Sequence, residues 1–217
     1  AEGAEAVAEE IRLMDGNAFG CGVDVTQTAD VAAMAERVLA ECGKIDILVN
    51  NAGGSAGLFG RLSRFRDAGE EVWSRVLDLN LHGTLRCIRA VLNPMIERRY
   101  GRIVSIASIA AAVGILDRVD YSAAKGGIVS LTKALAMEVG GYGVTVNSVS
   151  PGAIARRPTD SIPGGTYVGR MGTPEEVASL VAFLASEEAA FITGCDYIID
   201  GGRVLGPARS METAQHN

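Results

Sequence analysis

The sequence has few of the residues that disulfide, metal-binding and nucleic-acid-binding proteins depend on. Its four cysteines are scattered without a Cys-x-x-Cys pair, and its two histidines, His82 and His216, have no ligand partner at metal-binding spacing. We therefore expect reduced thiols, no metal site and a cytoplasmic location. The 26 acidic residues outnumber the 20 basic ones, and the net charge of −6 predicts that nucleic acid is not a partner.

Long apolar runs are also lacking. The longest uninterrupted run of apolar and glycine residues, Ile109–Leu116, is far shorter than the roughly 20 residues that cross a bilayer, so we expect no membrane partner. The first residues are acidic and helical in pattern, which predicts no signal peptide. With 48% hydrophobic residues among 217, the chain suits one globular domain with a sizeable core.

Helix-like and strand-like hydrophobic patterns alternate along the chain. The predicted helices are Ala1–Leu13, Ala29–Cys42, Ala68–Arg99 with a kink at Pro94, Asp120–Val139, and a last one from the capping box at Thr173 to about Ala185. The predicted strands are Ala18–Val25, Ile45–Val49, Arg102–Ala107, Val144–Val149 and Tyr197–Ile199. This alternation predicts an α/β fold: a doubly wound parallel sheet with helices on both faces, in three layers.

Unusual polar and glycine residues follow the predicted strands. Asp24, the turn at Asn50–Gly53, Ser108 and the pair Pro151-Gly152 each stand where a strand ends. Parallel sheets bind ligands at the carboxyl ends of their strands, so we expect one functional edge.

Tyr121 and Lys125 are four residues apart on a predicted helix and therefore share a face. An ammonium within about 4–6 Å of a phenol favours the phenolate and can bring tyrosine toward acid–base chemistry at neutral pH. Alone the pair is weak evidence, because such pairs are common on solvated helix faces.

The joint pattern resembles the short-chain dehydrogenase/reductase family along the whole chain. The matching residues are Asp24-Val25, Asn50-Asn51-Ala52-Gly53, Asn80, Ser108, Tyr121-Ser122-Ala123-Ala124-Lys125, Asn147 and Pro151-Gly152. The resemblance implies a single Rossmann-like domain over residues 1–217. It is nearest to the 3-oxoacyl-carrier-protein reductase branch and to the small polyol or steroid dehydrogenase branches, which share these motifs. It also implies a hydride transfer between a nicotinamide cofactor and a secondary alcohol or ketone, in a homo-oligomer (tetramer or dimer).

The family's catalytic roles fall on four residues. The resemblance implies that Tyr121 is the general acid or base, that Lys125 lowers its pKa and binds the nicotinamide ribose, and that Ser108 donates to the substrate oxygen. It implies that Asn80 holds a water linking Lys125 to solvent.

A cofactor, NAD or NADP, is implied by the same resemblance. Besides Tyr121 and Lys125, the implied contacts are Asp24 and Val25 at the adenine, Asn50, Ala52 and Gly53 along the groove, then Pro151 and Gly152, and Ile154 at the carboxamide. The residue that selects between the two cofactors belongs to a strand of the family that has no counterpart in these residues.

The family's first strand, its glycine-rich Thr-Gly-x-x-x-Gly-x-Gly turn and its second strand have no match here. One interpretation is an N-terminally truncated piece of a complete enzyme, which the uncapped helical start and intact site residues favour. The other is a catalytically inactive relative with a structural or assembly role.

Arg156 and Arg157 lie in the loop after Pro151-Gly152, near the position where the family often has a threonine. They either meet an anionic substrate or form an exposed, solvated pair.

Overall fold

The computed structural model describes residues 2–60, 64–155 and 165–206. The helices are α1 (Glu2–Leu13), α2 (Thr28–Cys42), α3 (Glu70–Leu77), α4 (Gly83–Arg98), α5 (Ala110–Val113), α6 (Val119–Val139) and α7 (Pro174–Leu184). The strands are β1 (Ile47–Asn50), β2 (Gly101–Ile106), β3 (Val144–Pro151) and β4 (Asp196–Ile199). Each predicted helix is present to within a few residues, apart from the long one discussed below.

The strands form one parallel sheet in the order β1-β2-β3-β4. Asn50 is in register with Ser105, and Ile106 with Val149, so the carboxyl ends of neighbouring strands lie along one edge. The predicted α/β fold with a parallel sheet is confirmed.

Apolar side chains cover both faces of the sheet. On one face Ile103 and Val146 pack with α2, α4 and α6, and on the other Val104 and Val149 pack with α7. Successive side chains of a strand point to opposite faces, so the near-continuous apolar runs of β2 and β3 serve both layers. The predicted three-layer arrangement is present: α2, α4 and α6 cover one face of the sheet, and α7 covers the other.

The predicted strand Ala18–Val25 is wrong. Within the described chain this segment pairs with no strand, and its only backbone–backbone hydrogen bond is the one that Asp24 accepts from Gln27. Its apolar pattern suits a strand, but a strand exists only where a neighbour supplies the ladder of hydrogen bonds.

The predicted continuous helix Ala68–Arg99 is divided by a turn of π-helix at Asp78–His82. Pro94 lies inside α4, and the kink predicted there stays a prediction. A π turn inserts a residue into the helix and is common at functional sites. It leaves the three- and four-residue apolar spacing nearly intact, which is why the pattern did not reveal it.

Candidate active site

Ser108 lies just beyond β2 and is held by the neighbouring strand. Ala107 N donates to Val149 O (2.7 Å) and Ile109 N to Pro151 O (3.1 Å), so the residues on both sides of Ser108 are fixed to β3. The Ser108 hydroxyl accepts from Ala110 N (3.1 Å), and the residue is 8% exposed. The serine is therefore anchored at the sheet edge where the sequence predicted a site.

Tyr121 and Lys125 share one face of α6, as their spacing predicted. The Lys125 ammonium is buried, donates to Ile106 O (2.7 Å), and lies 5.6 Å from the centroid of the Tyr121 ring. Ile106 is the last residue of β2, so this hydrogen bond attaches α6 to the carboxyl edge beside Ser108. Serine, tyrosine and lysine thus come together at one place.

The electrostatics of the pair differ from the expectation. Burial raises the pKa of Tyr121 above its usual value, and a hydrogen bond from Ser108 and the charge of Arg118 only partly oppose that rise. Burial also lowers the pKa of Lys125, to about 8. The predicted lowering of the Tyr121 pKa by Lys125 is therefore not found, because burial has the largest effect on the phenol and raises its pKa.

Asn80 stands in the π turn with its side chain completely buried. Its carboxamide oxygen accepts from Gly54 N (3.0 Å), while its NH₂ donates to Gly54 O and to Val76 O (both 2.8 Å). Its main-chain oxygen accepts from the Thr84 hydroxyl (2.8 Å). The side chain therefore fixes the glycine loop in place, and the predicted water-holding role stays a prediction.

Gly53 brings the turn after β1 into contact with this group. A Cβ added to Gly53 would lie 2.5 Å from Asn80 Oδ1 and 3.3 Å from Lys125 Nζ. Only glycine allows this approach, so the loop passes directly over the lysine and the asparagine. The contact joins the Asn50–Gly53 turn to the Ser108–Tyr121–Lys125 group.

The turn after β1 lines a cavity of about 160 Å³ together with Val25 from the segment before α2. Asn50 is buried, and its NH₂ donates to the Ser105 hydroxyl (3.1 Å), so its side chain ties β1 to β2. Ala52 is exposed at the mouth of the cavity. The cavity borders the catalytic group on the β1 side.

Asp24 precedes Val25 and is not among the residues that line that cavity. Its exposed carboxylate accepts from the backbone NH (2.9 Å) and the hydroxyl (2.8 Å) of Thr26, and these hydrogen bonds lower its pKa. In this structure Asp24 closes a local turn, whereas Val25 faces the predicted site.

The Pro151-Gly152 pair ends β3 beside Ser108. Gly152 N donates to Ile199 O (2.9 Å), and a Cβ on Gly152 would lie 2.6 Å from the Asp200 side chain. Ile154 lines a second cavity of about 200 Å³. Arg156 and Arg157 lie outside the described residues.

Two residues next to the site were not predicted from the sequence. Arg118, at the start of α6, is the arginine whose charge lowers the pKa of Tyr121. Its position one helical turn before the tyrosine was the available signal. Thr84 holds the Asn80 carbonyl, and its i+4 spacing from Asn80 was the corresponding signal.

The residues present fit a nicotinamide cofactor. Asn50 and Ala52 line a cavity of about 160 Å³, and the next residue, Gly53, closely approaches the buried Lys125 ammonium, a hydrogen-bond donor. Among the described residues, no three His, Cys, Asp or Glu side chains cluster as metal ligands would, and none of the helices is long and apolar enough to cross a membrane.

Comparison with known proteins shows the family of the chain. The family model described as "Enoyl-(Acyl carrier protein) reductase" matches residues 1–203. The chain is 38% identical over 211 residues to the 3-oxoacyl-[acyl-carrier-protein] reductase FabG of Escherichia coli (strain K12), covering 94% of this chain and 83% of the relative. It is 38% identical over 213 residues to the short-chain reductase protein NovJ of Streptomyces niveus, covering 91% and 79%. It is 36% identical over 212 residues to FabG of Staphylococcus aureus (strain Mu50 / ATCC 700699), covering 94% and 84%.

The chain belongs to the short-chain dehydrogenase/reductase family and is similar to its 3-oxoacyl-[acyl-carrier-protein] reductases. It is an oxidoreductase that uses a nicotinamide cofactor and acts on a ketone or the corresponding alcohol. The prediction of an enzyme, made ahead of the alternative of an inactive subunit, is confirmed.

Proposed function

We propose that this protein reduces a 3-oxoacyl thioester to the 3-hydroxyacyl thioester with NADH or NADPH. The observation that carries the proposal is the meeting of Ser108, Tyr121 and Lys125 at one end of the sheet, where a hydroxyl, a phenol and an ammonium can act on a single carbonyl. The names of the FabG relatives support the 3-oxoacyl group as the substrate class.

Tyr121 is proposed as the general acid. Burial raises the pKa of its phenol, so the hydroxyl holds its proton at neutral pH, which is the form needed to protonate a carbonyl oxygen during reduction. The Ser108 hydroxyl, which hydrogen-bonds Tyr121, would donate to the same oxygen as negative charge develops there.

The cofactor groove is proposed along the turn after β1. The bound nicotinamide cofactor would supply the hydride. Lys125 would bind its ribose, Asn50, Ala52 and Gly53 would line the groove, and Asp24 and Val25 would meet the adenine. Pro151, Gly152 and Ile154 would border its nicotinamide end. Asn80 supports this groove by holding Gly54.

We further propose a cytoplasmic homo-oligomer, a dimer or tetramer, formed by one domain that spans residues 1–217. Apolar side chains exposed on α4 and α6 support the association: Leu85 is 41% exposed, Val119 51% and Met137 82%. Light scattering after size-exclusion chromatography tests it, and a monomer at micromolar concentration would contradict it.

The activity is tested with a short 3-oxoacyl thioester, a simple methyl ketone and both cofactors. We expect turnover of the thioester to exceed that of the ketone, and Tyr121→Phe to lower both by about 10²–10⁴-fold. Tyr142→Phe, a change at an exposed tyrosine on another segment, is the matched control and should keep full activity. A wild-type protein that favours the simple ketone would contradict the substrate class.

A further inference from the structure

The segment Ala18–Val25 lacks a strand ladder, so side chains from other elements hold its backbone. Near its start Gly20 N donates to the Glu5 carboxylate (2.9 Å). At its end Val25 O accepts from Arg86 Nη1 (3.4 Å). Asp24 N also donates to Asp30 Oδ2 (3.3 Å), so Arg86 is one of the side chains that hold the segment where it reaches the cofactor cavity.

Arg86 joins this segment to the π turn. Its Nη2 lies 2.7 Å from Asp78 Oδ1, at the start of the turn that carries Asn80. His82 Nδ1 lies 3.2 Å from the same carboxylate oxygen. Charge-assisted hydrogen bonds of this kind are the stronger ones, so the guanidinium has a fixed position from which to hold Val25.

The first residue of α4 provides a second contact for the same valine. A Cβ added to Gly83 would lie 2.9 Å from Val25 Cγ2 and 3.3 Å from Val25 Cβ. Val25, Gly83 and Thr84 all line the cavity of about 160 Å³. The valine is thus positioned by a hydrogen bond on its carbonyl and by close packing on its side chain.

We propose that Arg86 is a positioning residue for cofactor binding, which holds Val25 against α4 in the place required by the adenosine half of the cofactor. The inference rests on the proposed function for the adenine contact of Val25. One nitrogen group of Arg86 reaches Val25 on the cavity wall, and the other reaches Asp78 in the π turn. Ordering this wall in advance lowers the entropy cost of binding the adenosine half.

The test compares Arg86→Met and Arg86→Lys with Arg89→Met, a change at an exposed arginine of the same helix. Binding of 5′-AMP is measured by calorimetry, and inhibition by nicotinamide mononucleotide reports the other half of the site. We expect AMP to bind about tenfold more weakly to Arg86→Met, the loss of roughly one hydrogen bond from a charged group, with partial recovery in Arg86→Lys. Nicotinamide mononucleotide inhibition and kcat should stay within about twofold, while KM for the dinucleotide rises.

Gly83→Ala displaces Val25 and leaves Arg86 unchanged. It should weaken the binding of AMP in the same way. It keeps the inference testable if Arg86→Met does not fold, as judged by circular dichroism. Unchanged AMP binding in folded Arg86→Met or in Gly83→Ala would overturn the inference, as would equal weakening of both nucleotides or no AMP binding by the wild type. If AMP binding falls as expected but the wild type reduces no 3-oxoacyl thioester, the proposed substrate fails and the positioning role stands.

Discussion

Replacing Lys125 with methionine removes a buried charge and preserves most of the side-chain volume. Lys125 is 4% exposed, and its ammonium donates to Ile106 O. Burial brings its pKa to about 8, from 10.5 for a free lysine side chain. The folded protein therefore loses this proton at a lower pH than the unfolded chain does.

The sign of the pH effect follows from those two values. Between them the unfolded chain binds more protons than the folded protein, so stability rises with pH across that window. One pH unit of difference corresponds to about 1.4 kcal/mol, and raising the pH from 7 to 9.5 adds about 2 kcal/mol to the wild-type stability. Lys125→Met lacks this contribution, so its stability relative to the wild type should fall by the same amount.

Urea unfolding followed through the single tryptophan, Trp73, measures the difference at several pH values. Groups that titrate in this range and lie away from Lys125 are common to both proteins and cancel in the comparison. Lys133→Met is the matched control, because Lys133 is exposed on the same helix. The free energy of unfolding of Lys133→Met should change with pH as that of the wild type does.

Parallel profiles for the wild type and Lys125→Met would refute the reasoning, since they would mean that burial does not shift the lysine. If the stability of Lys125→Met relative to the wild type rose with pH instead of falling, the folded state would stabilise the ammonium. Either result would also count against desolvation as the main cause of the raised pKa of Tyr121.

Three further predictions concern the groups around Lys125. Tyr121→Phe should lower turnover by about 10²–10⁴-fold, because it removes the general acid, and a variant that keeps more than a tenth of the activity would contradict the assignment. Its free energy of unfolding should change little. Arg118→Gln removes the charge that lowers the pKa of Tyr121, so the alkaline limb of the pH–rate profile for reduction should move to higher pH; an unmoved limb would show that the guanidinium does not act on the phenol. Gly53→Ala forces a methyl group against Asn80 and Lys125 and should destabilise the protein by about 1–3 kcal/mol and weaken cofactor binding. Gly141→Ala, where the added methyl meets nothing within 4 Å, is its control, and equal effects would contradict the steric argument.

Local patterns in the sequence predicted much of the fold. The capping box at Thr173 with Pro174 starts α7, and Gly43 ends α2 in the left-handed conformation, because these caps depend on residues within one turn. The i, i+4 spacing of Tyr121 and Lys125 on α6 was predictable for the same reason. The carboxyl-edge position of Ser108 followed from strand direction alone.

Only the tertiary structure decided how the edge residues meet. Gly53, Asn80 and Lys125 come from a loop, a π turn and a helix, and no local pattern encodes their contact. The pKa of Tyr121 depends on burial by all surrounding elements, so spacing alone predicted the wrong direction. The segment Ala18–Val25 has the residues of a strand without a neighbour to pair with in the described chain. The sequence by itself determined which chemical groups stand at the edge, because side-chain periodicity and chain direction are local. Distance, burial and pairing required the packed molecule, because they are sums over elements that are remote in the chain.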